Sequence, residues 1–313
     1  MHRHAARSGH GAAAIREPVQ MRAIGWAIEQ WGAALGSDSR RPELPWRSTR
    51  YPWAVLVSEV MAQQTQLSRV VPAYHRFLAS FPTPTACASA PLGDVLRAWE
   101  GMGYNRRARD LHRAASAIAA DHDGEVPAEL GALLELPGVG PYTARAVLAF
   151  AFGRDVGAVD TNAGRVLSRA VAGRPLRPVE AQALVDAMVP TGRGWQFGQA
   201  LLDLGATVCT AGAPRCTDCP IRRRCRWKSA RGAVADPSRG SAAVSTAQAV
   251  FAGSDRQGRG RLVDALRRSP VRPDRVASAM GWEDDPDRAA RVAEDLIGEG
   301  LAVRDDRGVL RLP

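Results

Sequence analysis

Residues 136–143 read LPGVGPYT and run directly into ARAVLAFAFG, residues 144–153. Two glycines flank a valine just before an apolar stretch of helical period, so the chain can turn sharply and aim backbone N–H groups outward. The helix that follows adds the positive end of its dipole, which suits a phosphate. Leu133, Leu134 and Leu136 lie just ahead as the apolar side of a short helix. The pattern predicts a helix–hairpin–helix with Gly138, Val139 and Gly140 at its tip. An ordinary helix–turn–helix connection is the plain alternative.

Outward from this hairpin the same period persists. VQMRAIGWAIEQWGAAL (19–35), YPWAVLVSEVMAQQT (51–65), RRARDLHRAASAIAADHDG (106–124) and VEAQALVDAMVP (179–190) place apolar residues three and four apart, with short Pro-, Gly- or Asp-containing loops between such segments. No segment from 19 to 208 alternates as a strand, so a mainly α fold is predicted. Residues 1–18 are polar and broken by Gly and Pro, and read as a disordered arm. Residues 19–228 form the main domain, 229–248 (SARGAVADPSRGSAAVSTAQ) read as a linker, and 249–313 as a separate module. That last module holds three helical stretches and then LAVRDDRGVLRLP, two β-prone runs around a turn, the order of a small winged-helix-like α+β unit.

The chain has 313 residues and a formal net charge of +10, with a pI near 10.3. An acidic polymer is the natural partner for such a balance, although Arg-rich composition alone proves none. No run of eighteen apolar residues offers a membrane span, and the N-terminus has no apolar signal core. A cytoplasmic, nucleoid-associated monomer is expected.

Four of the five cysteines fall within CTAGAPRCTDCPIRRRC: Cys209, Cys216, Cys219 and Cys225, spaced six, two and five residues apart. In a reducing compartment such a group points to metal rather than disulfides. Zinc sites pair cysteines as C-x₂-C twice or mix in histidine, whereas only one such pair exists here and no histidine follows His122. One loop with four thiolates suits a [4Fe–4S] cubane. Arg215, Arg222, Arg223, Arg224, Arg226 and Lys228 surround it, so the metal would shape a basic surface for phosphates. Cys87 stands apart and reads as a small buried hydrophobe.

Two carboxylates stand out. Glu59 is alone in the apolar stretch WAVLVSEVMA, where burial would raise its pKa toward that of a general acid; a helix-surface glutamate is the plain reading. Asp160 opens the helical run TNAGRVLSR twenty residues beyond Gly140, where Asp serves well as an N-cap.

Taken together, hairpin LPGVG, Asp160 and the C-x₆-C-x₂-C-x₅-C loop resemble the helix–hairpin–helix DNA glycosylases that carry an iron–sulfur cluster. Within that superfamily the region from about 19 to 228 resembles the MutY family of adenine DNA glycosylases. The resemblance implies base excision repair: a monofunctional glycosylase acting on double-stranded DNA and hydrolysing the N-glycosidic bond of adenine mispaired with 8-oxoguanine or guanine. It makes Glu59 the acid that protonates the base and later the base that activates water. Asp160 would stabilise or trap the cationic sugar, with Tyr142 and Asn162 orienting both. Tyr142 occupies the position where the related endonuclease III carries its lysine nucleophile, so no Schiff base and no strong strand cleavage are expected. Gln63, Gln64 and Thr65 match a wedge beside the opposing base, Tyr104 a second wedge, and Arg106, Arg107 and Arg109 phosphate contacts.

The tail departs from the family, whose members mostly end in a Nudix-like domain that reads the damaged base; residues 249–313 are too short and helical for it, and they are expected to add duplex or protein contacts. Two rivals remain open: a glycosylase for another base, such as thymine in G:T or an alkylated purine, and a cluster-bearing DNA-binding regulator.

Overall fold

The computed structural model describes residues 17–35, 44–230, 235–243 and 250–313; the arm expected over 1–18 therefore falls almost wholly outside the described residues. The described chain is mainly helical. Its helices run α1 (Pro18–Ala34), α2 (Pro52–Ala62), α3 (Leu67–Ser80), α4 (Pro84–Ala88), α5 (Leu92–Ala98), α6 (Arg106–Asp121), α7 (Leu130–Glu135) and α8 (Pro141–Phe150). They continue as α9 (Thr161–Val166), α10 (Pro178–Met188), α11 (Gly194–Asp203), α12 (Arg226–Ser229), α13 (Asp255–Arg268), α14 (Val276–Met280) and α15 (Pro286–Gly298). The strands are β1 (Val303–Arg304) and β2 (Leu310–Arg311). Two compact units emerge, each assembled from two segments: residues 1–41 with 155–246, and 42–154 with 247–313.

In the first unit α1 packs on α10 and α11. Ile24, Ile28, Leu167, Val185, Met188 and Phe197 make its core. Both α9 and α11 relax into single π-helical stretches, Leu167–Ala172 and Leu204–Val208, a form frequent beside functional groups. The stretch expected as a linker is partly strapped onto this unit. The Ala242 N–H donates to Leu176 O at 2.8 Å, the Leu176 N–H to Ser241 Oγ at 3.0 Å, and Thr161 Oγ1 to Ala243 O at 2.6 Å. Ser, Gly and Ala give the stretch no large apolar side chain, as in a linker, but their small side chains also let backbone lie flat against backbone.

In the second unit α2 is apolar apart from Ser58 and Glu59 and is buried from Trp53 through Met61. It packs on α3, α6 and α8. Trp53 donates its Nε1 to Phe81 O at 2.9 Å, and the Trp99 ring meets Phe77 edge-on at 6.0 Å. α13, α14 and α15 surround Leu262, Leu266, Met280, Val292 and Leu296, all buried. β1 and β2 pair antiparallel, and Val271 bridges to Leu310 beside them. Three helices with a strand pair form the winged-helix-like module that the tail's pattern predicts. It docks on α5, where the Gly93 N–H donates to the carbonyl of Pro313 at 2.8 Å. Among the described residues no helix is long and apolar enough to cross a membrane.

Candidate active site and cysteine loop

Glu59 sits eight residues into α2 and is only 8% exposed. Pro52 at the first turn starts this helix without needing its missing N–H. The helix ends at Gln63, whose Nε2 donates to Thr143 Oγ1 of α8 at 3.3 Å. The next residue, Gln64, is exposed and has a left-handed φ of 52°. Thr65 donates its hydroxyl back to Gln63 O at 3.2 Å.

Arg107 ties this helix end to the loop that carries Tyr104. One Nη donates to the carbonyls of Val60, Met61 and Gln63 at 2.9, 3.0 and 2.6 Å. The other donates to Thr65 Oγ1 at 3.0 Å and to the carbonyls of Met102 and Gly103 at 3.2 and 3.3 Å. Its guanidinium also lies over the Trp99 and Tyr104 rings, 5.4 and 5.5 Å from their centroids. Burial lowers its pKa to about 10, which still leaves it charged at neutral pH. Tyr104, like Gln64, is exposed and left-handed, with φ 47°. Arg107 was expected to meet phosphate; in the structure its donors face the protein. Arg106 is held by Glu299, at 2.7 Å from Nε, and Arg109 by Asp110 and the carbonyl of Glu299, at 2.7 and 2.6 Å.

The hairpin forms between α7 and α8. Gly138 has φ 76°, and a Cβ there would stand 2.8 Å from that of Asp110, so the turn requires glycine on both counts. Val139 buries its side chain. Gly140 caps α8 in extended conformation, and Tyr142 follows in the first turn.

Asp160 is the N-cap of α9. Its Oδ1 accepts from the Ala163 N–H at 2.7 Å and its Oδ2 from Asn162 Nδ2 at 3.0 Å. Both donors favour the anion, whereas burial outweighs them and pushes the carboxyl above its ordinary value. Asn162 is fixed in turn, because its Oδ1 accepts from Arg165 Nη2 at 2.8 Å. Arg165 continues to the carbonyls of Gly205 at 2.7 Å and Cys209 at 2.6 Å. A Cβ at Gly205 would lie 2.6 Å from that of Asn162, so glycine lets the two π-bearing helices approach. The sequence marks Arg165 and Arg169 only as two arginines four residues apart in the apolar run AGRVLSRAVA. Charges buried in such a run must find partners, and that signal is enough to single them out.

Cys209, Cys216, Cys219 and Cys225 line one recess, beside Arg169, Leu204 and Trp227. None forms a disulfide. Among the described residues no three His, Cys, Asp or Glu side chains converge to hold a single metal ion. Thiolates on one zinc would close to within about 2.3 Å of it; four thiols spread around a recess fit a group with several atoms between them. Burial pushes the Cys219 thiol up to about 11 and raises those of Cys209 and Cys225, a bias that a bound cation reverses. Arg169 is 1% exposed. It reaches Cys209 Sγ at 3.6 Å and Thr210 O at 2.7 Å, pairs with Asp236 at 2.9 Å, and stacks on Trp227. Arg222, Arg223 and Arg224 are exposed on one 3₁₀ turn between Cys219 and Cys225.

A family model described as HhH-GPD superfamily base excision DNA repair protein matches residues 57–187. The adenine DNA glycosylase of Mycolicibacterium smegmatis is 43% identical over 275 residues, covering 84% of this chain and 89% of that protein. The Homo sapiens adenine DNA glycosylase is 39% identical over 226 residues, 68% of this chain and 40% of its own length. Among solved structures, a thermostable thymine-DNA glycosylase is 28% identical with a TM-score of 0.62, over 67% of this chain and 97% of its own. A non-covalent endonuclease III–DNA complex aligns with a TM-score of 0.58 at 24% identity, over 70% and 100%, a likeness of fold.

Proposed function

Because the chain belongs to the adenine DNA glycosylase family, we propose that it removes adenine from duplex DNA by hydrolysing the N-glycosidic bond, at mispairs with 8-oxoguanine or guanine. The observation that carries this reading is Glu59, a carboxylate buried in an otherwise apolar helix. Adenine leaves poorly as an anion. A proton from Glu59 to N7 of the ring lets it leave neutral, and general-acid help of this kind contributes about 10²–10⁴-fold in rate. Departure of the base leaves an oxocarbenium-like sugar. The charge of Asp160 offsets that cation, and the Asn162 and Ala163 donors hold both its oxygens in place. Water, deprotonated by Glu59, completes the hydrolysis. Tyr142 offers no amine, so the strand stays intact. Gln64 and Tyr104, exposed on left-handed backbone, fill the stack that the flipped base vacates, with Gln63 and Thr65 beneath Gln64. The hairpin Gly138–Gly140 receives a phosphate.

Cys209, Cys216, Cys219 and Cys225 would hold a [4Fe–4S] cluster. When bound, it would tie the loop's two ends together and present Arg222–Arg224 to the DNA backbone.

The likeness to a thymine-DNA glycosylase makes thymine in G:T the second reading, which higher identity to adenine-specific relatives over more of the chain disfavours. Base release is measured on A:8-oxoguanine, A:G and G:T duplexes, with alkali revealing the abasic site. Free adenine is expected from the first two, falling at least ~10²-fold in Glu59→Gln and Asp160→Asn. Thymine release, or a Glu59→Gln protein with the parent's rate, overturns the proposal.

A further inference from the structure

The loop that carries Tyr104 is held from the C-terminal module. Trp99–Asn105 (WEGMGYN) joins α5 to α6, with left-handed backbone at Gly101, Gly103 and Tyr104. A side-chain residue rarely adopts that conformation, so its surroundings must hold it. Arg267 of α13 donates to the carbonyl of Leu96, ahead of the loop, and to Asn105 Oδ1 behind it, both at 2.8 Å. Arg256 donates to the Tyr104 hydroxyl at 3.3 Å. Glu299, just past α15, takes Arg106 and Arg259 on its carboxylate and Arg109 on its carbonyl.

The charge of the module sets its role apart from groove reading. Between 250 and 313 twelve acidic residues balance twelve arginines. Seven of the acids lie at 283–299 with only two arginines. That stretch contains α15, the helix which in this order of elements would enter a groove, and phosphates would repel it. Arg256, Arg259 and Arg267 of α13 meanwhile make their hydrogen bonds to Tyr104, Glu299, Leu96 and Asn105.

We propose that the C-terminal module is a brace that presets the Tyr104 loop for duplex engagement, with Arg256 and Glu299 as positioning residues. The proposal rests on the reading of Tyr104 as a wedge given above. Holding a left-handed tyrosine ready lowers the ordering cost of binding, so the brace acts on affinity rather than on bond cleavage.

The test uses full-length protein: Arg256→Gln, Glu299→Gln, Tyr104→Phe and Tyr104→Ala, plus the pairs Arg256→Gln/Tyr104→Phe and Glu299→Gln/Tyr104→Ala. Duplex Kd by fluorescence anisotropy and single-turnover adenine release at saturating protein are read on one A:G duplex. Arg256→Gln and Glu299→Gln should each weaken Kd about 5–10-fold while their saturated rates stay within about 2-fold of the parent's, and each pair should be no weaker in Kd than its tyrosine variant alone. Losses that multiply in the pairs, or single variants with the parent's Kd, overturn the brace. Arg256→Gln alters a partly exposed side chain and keeps the test open if Glu299→Gln unfolds. A parent that binds the duplex yet frees no adenine overturns the proposed reaction alone, since the Kd measurements still decide the brace.

Discussion

The guanidinium of Arg165 reaches the carbonyl of Cys209 at 2.6 Å, so the first cysteine of the loop and the Asp160–Asn162 pair share one side chain. Arg165→Met should strand the carbonyls of Gly205 and Cys209 and free Asn162 to turn from Asp160. A loss of about 1–3 kcal/mol in stability follows from such unpaired buried groups, and, with Asp160 in the role proposed above, its misplacement should lower adenine release by up to about 10²-fold. Iron content, duplex affinity and single-turnover rate are measured together. A variant with full iron and the parent's rate would show that Asn162 does not depend on Arg165.

Asp236 pairs with the buried Arg169 from the strapped part of the expected linker. Its hydrogen bonds from Arg169 hold the carboxyl well below the usual carboxylate range. A depressed folded pKa gives stability that is present above the unfolded value of about 3.9 and is lost as pH falls toward the folded one. Asp236→Asn should therefore cost about 1–3 kcal/mol, constant from pH 8 to 5, with the gap to the parent closing only below about pH 4. Urea unfolding across that range checks it; a gap that already closes by pH 6 would assign the stabilisation to another group.

Local chemistry was legible in the residues. A single carboxylate in WAVLVSEVMA is buried, the two glycines of LPGVG do make the turn between α7 and α8, and Asp160 is an N-cap. Partnership was not legible. Arg106 and Arg109 meet Glu299 across some 190 residues, and periodic patterns relate only near neighbours. For the same reason ADPSRGSAA reads as linker from composition while Ser241 and Ala242 in fact bond to Leu176.

Arg222, Arg223 and Arg224 stand exposed on the turn between Cys219 and Cys225. If each neutralises a phosphate, the slope of log affinity against log salt falls by about 0.9 for each removed. Replacing all three with alanine should flatten the slope by about 2–3 and leave the saturated single-turnover rate unchanged. A slope equal to the parent's would place the DNA elsewhere. Cys219→Ser should mimic this loss of salt dependence if the four thiolates shape the turn, and iron analysis of the same sample links the two effects.

Arg107 separates two roles that its sequence context cannot. Six acceptors from two segments, Val60–Thr65 and Met102–Gly103, converge on its two terminal nitrogens, so the loops of Gln64 and Tyr104 depend on one fork. Lysine keeps the charge but not the fork, and cannot serve both groups of carbonyls. Arg107→Lys should therefore lower stability by about 1–3 kcal/mol, the range for stranded buried acceptors, and weaken duplex binding roughly ten-fold with an unchanged salt slope. A phosphate contact predicts the reverse: stability held, and binding nearly preserved by the retained charge. Thermal unfolding and salt-dependent anisotropy on one preparation decide between them. Retained stability with a weakened, flatter salt response in Arg107→Met would return this side chain to the DNA.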